Sequence, residues 1–285
     1  MTILPASDPD QAMSVDEIGI ATARHDGLVL RSAFQLVFRL AEGDCLRAVA
    51  AESFLRPFRR GMPLPPRPVL ASLEPAERAV VERLAVTLHV ANHAHLGVEG
   101  LDHMLGLGAA CGMRPGVSEM LTERLAALPE EAGIDASRLL CGIREPAGFD
   151  MAALAGLARD LDTLGVRLVL GGAAGEQPPL EAIRRLSPRI VRIDGAWFRR
   201  VVQSDGARRL LASLVEGFRA QGVQVLVEGI ETRDQLAAAL DAGADLLQGF
   251  LLSHPRLAGT ALEPAIPLRD ILPGRAEVIP LFGGR

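Results

Sequence analysis

Val223-Gln224-Val225-Leu226-Val227-Glu228-Gly229-Ile230-Glu231-Thr232, followed at Gln248-Gly249-Phe250-Leu251-Leu252-Ser253-His254-Pro255 by a second block, decides the reading of this chain. Val223 to Val227 predicts a strand that stops at a carboxylate and a glycine. Thr232 to Ala242 then carries apolar residues at spacings of three and four, which predicts a helix, and Asp245 to Phe250 predicts the next strand. The same alternation runs outward from about residue 30 to 255. Strands are predicted at Gln35 to Leu40, Arg47 to Phe54, His103 to Gly108, Leu139 to Arg144, Val166 to Leu170 and Ile190 to Asp194, which with the two above makes eight. Helical spacing recurs at Pro75 to Ala94, Val117 to Glu131, Met151 to Leu164 and Gly195 to Ala220. Alternation of this kind is the pattern of a parallel sheet covered by helices. The first two strands are separated only by the turn-rich Ala41-Glu42-Gly43-Asp44, so they are expected to form an antiparallel hairpin. Prolines in Gly61 to Pro68 predict an irregular surface connection. Residues 1–29 and 258–285 read as appendages to a domain of residues 30–257, and there is no internal repeat.

The bulk properties fit one large domain. The chain has 285 residues, with 49% hydrophobic and 23% charged residues, and barrels of alternating strands and helices take about 250 residues. Every long apolar run is cut by a charge, Gly or Pro, so no membrane span is expected, and Met1 to Leu30 does not resemble a signal peptide. The expected location is cytoplasmic. Cys45, Cys111 and Cys141 are odd in number and far apart, which suits reduced, buried thiols rather than a disulfide framework. A formal net charge of −5 gives no field to hold a polyanion, so duplex nucleic acid is excluded as a partner.

With these residues quoted, the chain resembles the EAL family, barrel phosphodiesterases that hydrolyse the bacterial second messenger cyclic di-GMP. The resemblance covers roughly Phe34 to Pro255 and is most specific in the last third. Phe34-Gln35-Leu36-Val37 resembles the family's aromatic-Gln-Pro-apolar opening, with Leu36 in place of Pro. Ala51-Glu52-Ser53-Phe54-Leu55-Arg56 resembles the name-giving Glu-Ala-Leu block followed by Leu-Arg, in which the Glu is a metal ligand and the Arg lies near a phosphate. Val191-Arg192-Ile193-Asp194 resembles Leu-Lys-Ile-Asp, with Arg192 replacing Lys. Glu228, Gly229, Glu231 and Thr232 match the Ala-Glu-Gly-Val-Glu-Thr block. Gln248 and Gly249 match Gln-Gly-Tyr, with Phe250 for Tyr, and His254 stands where Arg is usual. The resemblance implies a TIM-like (β/α)8 barrel, of class α/β, whose first strand is antiparallel.

It also implies chemistry that other positions withhold. A two-metal phosphodiesterase holds cations about 4 Å apart, one to generate hydroxide and both to clamp the phosphate, and hard divalent ions require oxygen ligands. The family's metal-binding Asn has no counterpart in Leu105-Gly106-Leu107-Gly108-Ala109-Ala110. Gly142-Ile143-Arg144-Glu145 takes the place of Glu-apolar-Thr-Glu, and the ligating Glu is missing. Gly171-Gly172 stands where the family carries two adjacent aspartates. Glu52 and Glu228 are the matched metal carboxylates that remain, and a shifted Glu145 or Glu176 would have to compensate from a different strand position. The expectation from sequence is therefore that the chain is not an enzyme, with no catalytic residue, cofactor or metal.

Binding is separable from turnover, because a dinucleotide can be held by phosphate contacts, stacking and backbone donors. Gln35, Glu52, Leu55, Arg56, Arg192, Glu228 and Gln248 are the candidate ligand residues for cyclic di-GMP, all expected at the carboxyl-terminal face of the barrel. The expected function is a regulatory module that reads cyclic di-GMP or a protein partner, and the family implies a homodimer. Two alternatives stand beside it: a pure interaction scaffold that no longer binds nucleotide, and a residual metal-dependent phosphodiesterase. Glu52 and Glu228 have a further reading as an ion pair with Arg56 or Arg192 across the mouth. Three other motifs are read as structural. His89 and His93, four apart, have zinc-like spacing but no third ligand in register. Gly106 to Gly112 is a strand end of small residues rather than a dinucleotide loop, and the Gly-rich run at 171–175 lacks a Walker ending.

Overall fold

In the computed structural model, residues 12–107, 122–127, 130, 133–143, 151–172 and 180–273 are described. Eight strands close into a barrel. In chain order they are β1 (Leu28–Ala41), β2 (Cys45–Arg59), β3 (Asp102–Leu107), β4 (Leu139–Ile143), β5 (Arg167–Gly171), β6 (Ile190–Ile193), β7 (Gln224–Val227) and β8 (Leu246–Leu247). β2 to β8 run parallel to one another in that order, and β1 closes the ring antiparallel to both β8 and β2. The barrel and its antiparallel first strand are therefore as the sequence predicts.

The interior follows from strand alternation. Val37, Ala50, Met104, Leu140, Val169, Ile190, Leu226 and Leu246, one from each of β1 to β8, form a single buried cluster inside the ring. Residues of opposite parity, such as Leu105, Cys141, Leu168, Val191 and Val225, face outward into the larger apolar layer beneath the helices. Successive side chains point to opposite faces of a strand, so each barrel strand is buried twice and reads as a near-continuous apolar run. Each fully buried aliphatic side chain in these layers contributes about 1.5–3 kcal/mol.

Helices α1 (Pro66–Ser72), α2 (Pro75–Ala91), α3 (Met151–Thr163), α4 (Leu180–Leu186), α5 (Gly195–Val201), α6 (Asp205–Arg219) and α7 (Arg233–Asp241) pack outside. Three differ from the sequence expectation. The Pro-rich connection begins a helix, because Pro66 sits in the first turn of α1, where its missing N–H has no intrahelical partner to lose. Gly195 to Ala220 is two helices, because Ser204 accepts a hydrogen bond from the Ala207 amide and starts α6 afresh. α4 was not anticipated. Val117 to Glu131 falls largely outside the described residues, as do the windows at 108–110, 144–145 and 173–176.

The hairpin of β1 and β2 is longer than predicted and carries further strands: Ala21–His25 on β1, Met13–Val15 on that, and Ala265–Pro267 on β2. Among the described residues, no helix is long and apolar enough to cross a membrane. Cys141 is buried and Cys45 half-buried; Cys111 is outside the described residues.

Candidate functional site at the barrel mouth

Two residues above the interior layer on each strand lies a second ring, read off by the same alternation. It comprises Gln35, Glu52, Gly106, Gly142, Gly171, Arg192, Glu228 and Gln248. This is the carboxyl-terminal face of the parallel strands, where sites of this fold are built. Five of the seven candidate ligand residues stand in it.

Its polar members are buried, and Glu52, Arg192, Glu228 and Gln248 are bonded to one another. Arg192, 1% exposed, points inward between Val191 and Ile193 of β6. Its Nη1 donates to Glu52 Oε1 at 2.8 Å and to Glu228 Oε1 at 2.5 Å, so one nitrogen bridges carboxylates from β2 and the end of β7. Its Nη2 contacts Met104 Sδ. The Gln248 amide donates to the other oxygen of Glu52 at 2.9 Å, and the Gln35 amide donates to the Ser253 carbonyl at 2.7 Å. The ion pair expected as one reading of Glu52 and Glu228 is present, with Arg192 as its cation.

Local backbone fixes these positions. The Glu228 amide donates to Ile193 O and the Gln248 amide to Val227 O, extending the sheet one step beyond β7 and β8. Gly229 follows at φ +71°, its Cα so near Gly195 that an added Cβ would lie 2.9 Å from the Gly195 Cα. Thr232 and Gln235 then form a capping box that starts α7. Gly249 lies against the Ile230 backbone with no space for a Cβ. Asp194 caps α5 by accepting from the Trp197 amide at 2.9 Å.

Arg56 and Leu55 lie farther out on β2. Leu55 packs with Val81 and Leu88 on the face toward α2. Arg56 is half-buried, its guanidinium 5.9 Å from the Phe54 ring centroid, and burial lowers it from its ordinary value. A 520 Å³ cavity between β2, α1 and α2 is lined by Glu52, Phe54, Arg56, Arg67 and Gly106. A smaller one, 190 Å³, shares Glu52 and Phe54 and adds Gln35, Glu228, Gln248 and Phe250. Sequence reasoning missed Phe54, although it has the parity of Glu52 and Arg56 and so had to point the same way. A 600 Å³ cleft elsewhere, lined by Arg159, Arg167 and Arg189, holds none of the candidate residues.

The divalent ions that the resemblance implies do not fit this donor set. Glu52 and Glu228 both face a guanidinium nitrogen, the Gln248 amide nitrogen is turned to Glu52, and the ring positions on β3, β4 and β5 are glycines with no ligating side chain. Among the described residues, no group of three or more His, Cys, Asp or Glu is placed to hold a metal. His89 and His93 are instead built into the packing. The His89 ring nitrogen bonds the Ser32 hydroxyl at 2.8 Å. His93 bonds the Leu101 carbonyl at 3.1 Å and stacks on His103, centroids 4.5 Å apart.

Comparison with known proteins extends this geometry. The EAL domain matches residues 76–255. Cyclic di-GMP phosphodiesterase NbdA of Pseudomonas aeruginosa is 27% identical over 178 residues, 62% of this chain and 22% of that protein. Probable cyclic di-GMP phosphodiesterase PdeA of Escherichia coli is 26% identical over 96 residues, 34% of this chain and 13% of that protein. The matches thus span less than a quarter of these relatives' lengths. Klebsiella pneumoniae BlrP1, solved as a calcium and cyclic di-GMP complex, has a TM-score of 0.70 at 20% identity, covering 93% of this chain and 61% of that one. The FimX EAL domain from Pseudomonas aeruginosa, bound to cyclic di-GMP, has a TM-score of 0.68 at 22% identity, covering 80% and 90%. The expectation that the chain is not an enzyme is corrected by these findings, since the relatives it matches are named phosphodiesterases. That expectation rested on family ligands without a counterpart, with Glu145 and Glu176 as the replacements, and these two lie outside the described residues. From the matched span, the closed barrel and the two signature blocks, the chain belongs to the EAL domain family.

Proposed function

We propose that the barrel mouth binds cyclic di-GMP and that the chain is a cyclic di-GMP-responsive signalling module. The observation that carries this is that two cavities share Glu52 and Phe54 as lining residues, the smaller of them also lined by Gln35, Glu228 and Gln248 of a ring whose polar side chains are held by hydrogen bonds. A cyclic dinucleotide presents two phosphates and two purine bases. Arg56 and Arg67 offer guanidinium groups to a phosphate, and Arg can grip its oxygens through two parallel N–H bonds. Phe54 and Phe250 offer ring faces for a base, worth about 1–3 kcal/mol per stacked base. Phe250 is 52% exposed and already stacks on His254, centroids 4.7 Å apart. BlrP1 and the FimX EAL domain are solved with cyclic di-GMP bound, and one BlrP1 form, TM-score 0.65, carries it with no metal ions.

Isothermal titration of the chain with cyclic di-GMP in EDTA tests the proposal, followed by product analysis after Mg²⁺ or Mn²⁺ is added. Binding at micromolar affinity or tighter, weakened at least about tenfold by Arg56→Ala through loss of a charged hydrogen bond, is the expected result. No heat with or without divalent ion overturns it. Appearance of a linear dinucleotide would assign turnover to the same site.

A further inference from the structure

The mouth ring is uneven. β3, β4 and β5 each contribute a glycine to it, Gly106, Gly142 and Gly171, and the guanidinium of Arg192 lies against Gly142. A Cβ built on Gly142 would lie 3.4 Å from Arg192 Nη2, 3.7 Å from its Cζ and 3.3 Å from the Leu105 carbonyl oxygen. A methyl group there would be tight against the Leu105 carbonyl and in van der Waals contact with the guanidinium, and a longer carboxylate-bearing side chain would have to compete with the guanidinium for its space. Gly171 is the register partner of Arg192 across β5 and β6. On the other side, Nη1 faces Glu52 and Glu228 together, with side-chain exposures of 2%, 2% and 10% for Arg192, Glu52 and Glu228. Two carboxylates so far from water require a counter-charge nearby, and a buried ion left without its partner is strongly destabilising.

We infer that Arg192 is the resident cation of the barrel mouth: it stands between Glu52 and Glu228 where a divalent ion would otherwise sit, and Gly142 is the residue that admits it. The mouth is then assembled by the chain's own charge, and free divalent cation does not enter between these carboxylates. Arg suits the place because its guanidinium spreads five donors in a plane, so a single group can serve two acceptors. The inference does not depend on nucleotide binding, because it concerns the carboxylates and their cation alone.

Mn²⁺ without nucleotide is the probe. Thermal melts of the wild-type chain in EDTA and in millimolar MnCl₂ should coincide. Arg192→Ala should melt about 10 °C lower in EDTA, the scale set by removing one partner of a buried pair in a domain of this size. It should regain part of that loss in Mn²⁺, and lose the gain again when Glu52→Gln is added. A wild-type melt raised by Mn²⁺ and returned to baseline by Glu52→Gln overturns the inference. So does an Arg192→Ala chain that melts like wild type, or one that falls and gains nothing from Mn²⁺. If Arg192→Ala does not fold, electron paramagnetic resonance titration of free Mn²⁺ against the wild-type chain decides. All ion free is the expected result, and one ion held per chain but released by Glu52→Gln overturns it.

Discussion

Gln248 and Glu52 are 196 positions apart in the chain and 2.9 Å apart in the barrel, amide nitrogen to carboxylate oxygen. The bond spans from the end of β8 to β2, passing over β1, and so ties together the two sides of the seam where the barrel closes. Both residues are buried, at 4% and 2% exposure, and a hydrogen bond to a charged acceptor in such a place contributes about 1.5–3 kcal/mol. Gln248→Ala is therefore expected to lower unfolding free energy by roughly that amount in urea denaturation. It should also weaken cyclic di-GMP binding, because Glu52 loses one of the groups that orient it. An unchanged denaturation midpoint would show that the seam does not depend on this bond.

Gly249 predicts a steeper loss. An added methyl group meets the Ile230 carbonyl, amide and carbon together, all backbone, so no side chain can rotate away. Gly249→Ala should destabilise by about 3 kcal/mol or more, at the upper end for overpacking. Gly217→Ala, on the α6 surface with nothing near its Cβ, should be neutral or stabilising. Paired thermal melts of the two variants check the contrast.

Three imidazoles between β3, β1 and α2 set a pH dependence. Burial lowers His89 to about 3. His103 is held well below its ordinary value by burial and then by the neighbouring His93 and His89. His93 is lowered chiefly by burial; its bond to the Leu101 carbonyl and Asp102 oppose this, and Arg138 adds to it. In the unfolded chain each would take up a proton near pH 6.5, whereas the folded chain refuses it. Stability contributed by their neutrality is present above that pH and is lost as pH falls through 6.5 toward 3, at up to about 1.4 kcal/mol per pH unit for each ring still neutral. Urea titrations at pH 8, 6.5 and 5 should show the decline, and His103→Phe should flatten it. A slope unchanged by that substitution would remove His103 from the explanation.

Cys141 and Cys45 should differ in reactivity. Burial raises the Cys141 thiol to about 12, so thiolate, the nucleophilic form, is scarce there at neutral pH. Iodoacetamide on the folded chain should label Cys45 and spare Cys141 until denaturant is added, as read by peptide mass spectrometry.

Much of the architecture was legible because it rests on periodicity. Val223 to Val227, Ile190 to Asp194 and the hairpin around Glu42-Gly43 announce themselves by alternation and turn chemistry, and these place Glu52, Arg192, Glu228 and Gln248 at one face. Periodicity says which way a side chain points and nothing of how far it reaches. Arg192 was legible as a retained positive charge, but its bridging of two carboxylates over Gly142 depends on the distance across the barrel, which no local pattern encodes. Gly142 read as a lost ligand, although in the fold it is also the clearance for the guanidinium. The break at Ser204 had a sequence signal, because Gln203 to Arg209 holds only Ala207 as an apolar residue and Ser204 is a helix-capping type. The expectation of no enzyme came from comparing ligand positions with the family pattern, and the match to named phosphodiesterases overturns it.

The three glycines of the mouth ring have a consequence for symmetry. Five neighbouring strands, β6, β7, β8, β1 and β2, present polar side chains at that level, and the remaining three present only backbone. A ligand whose two halves are identical in solution could not keep them identical here. One half would lie over charge and amide, the other over bare peptide, so the barrel itself gives such a ligand a head and a tail.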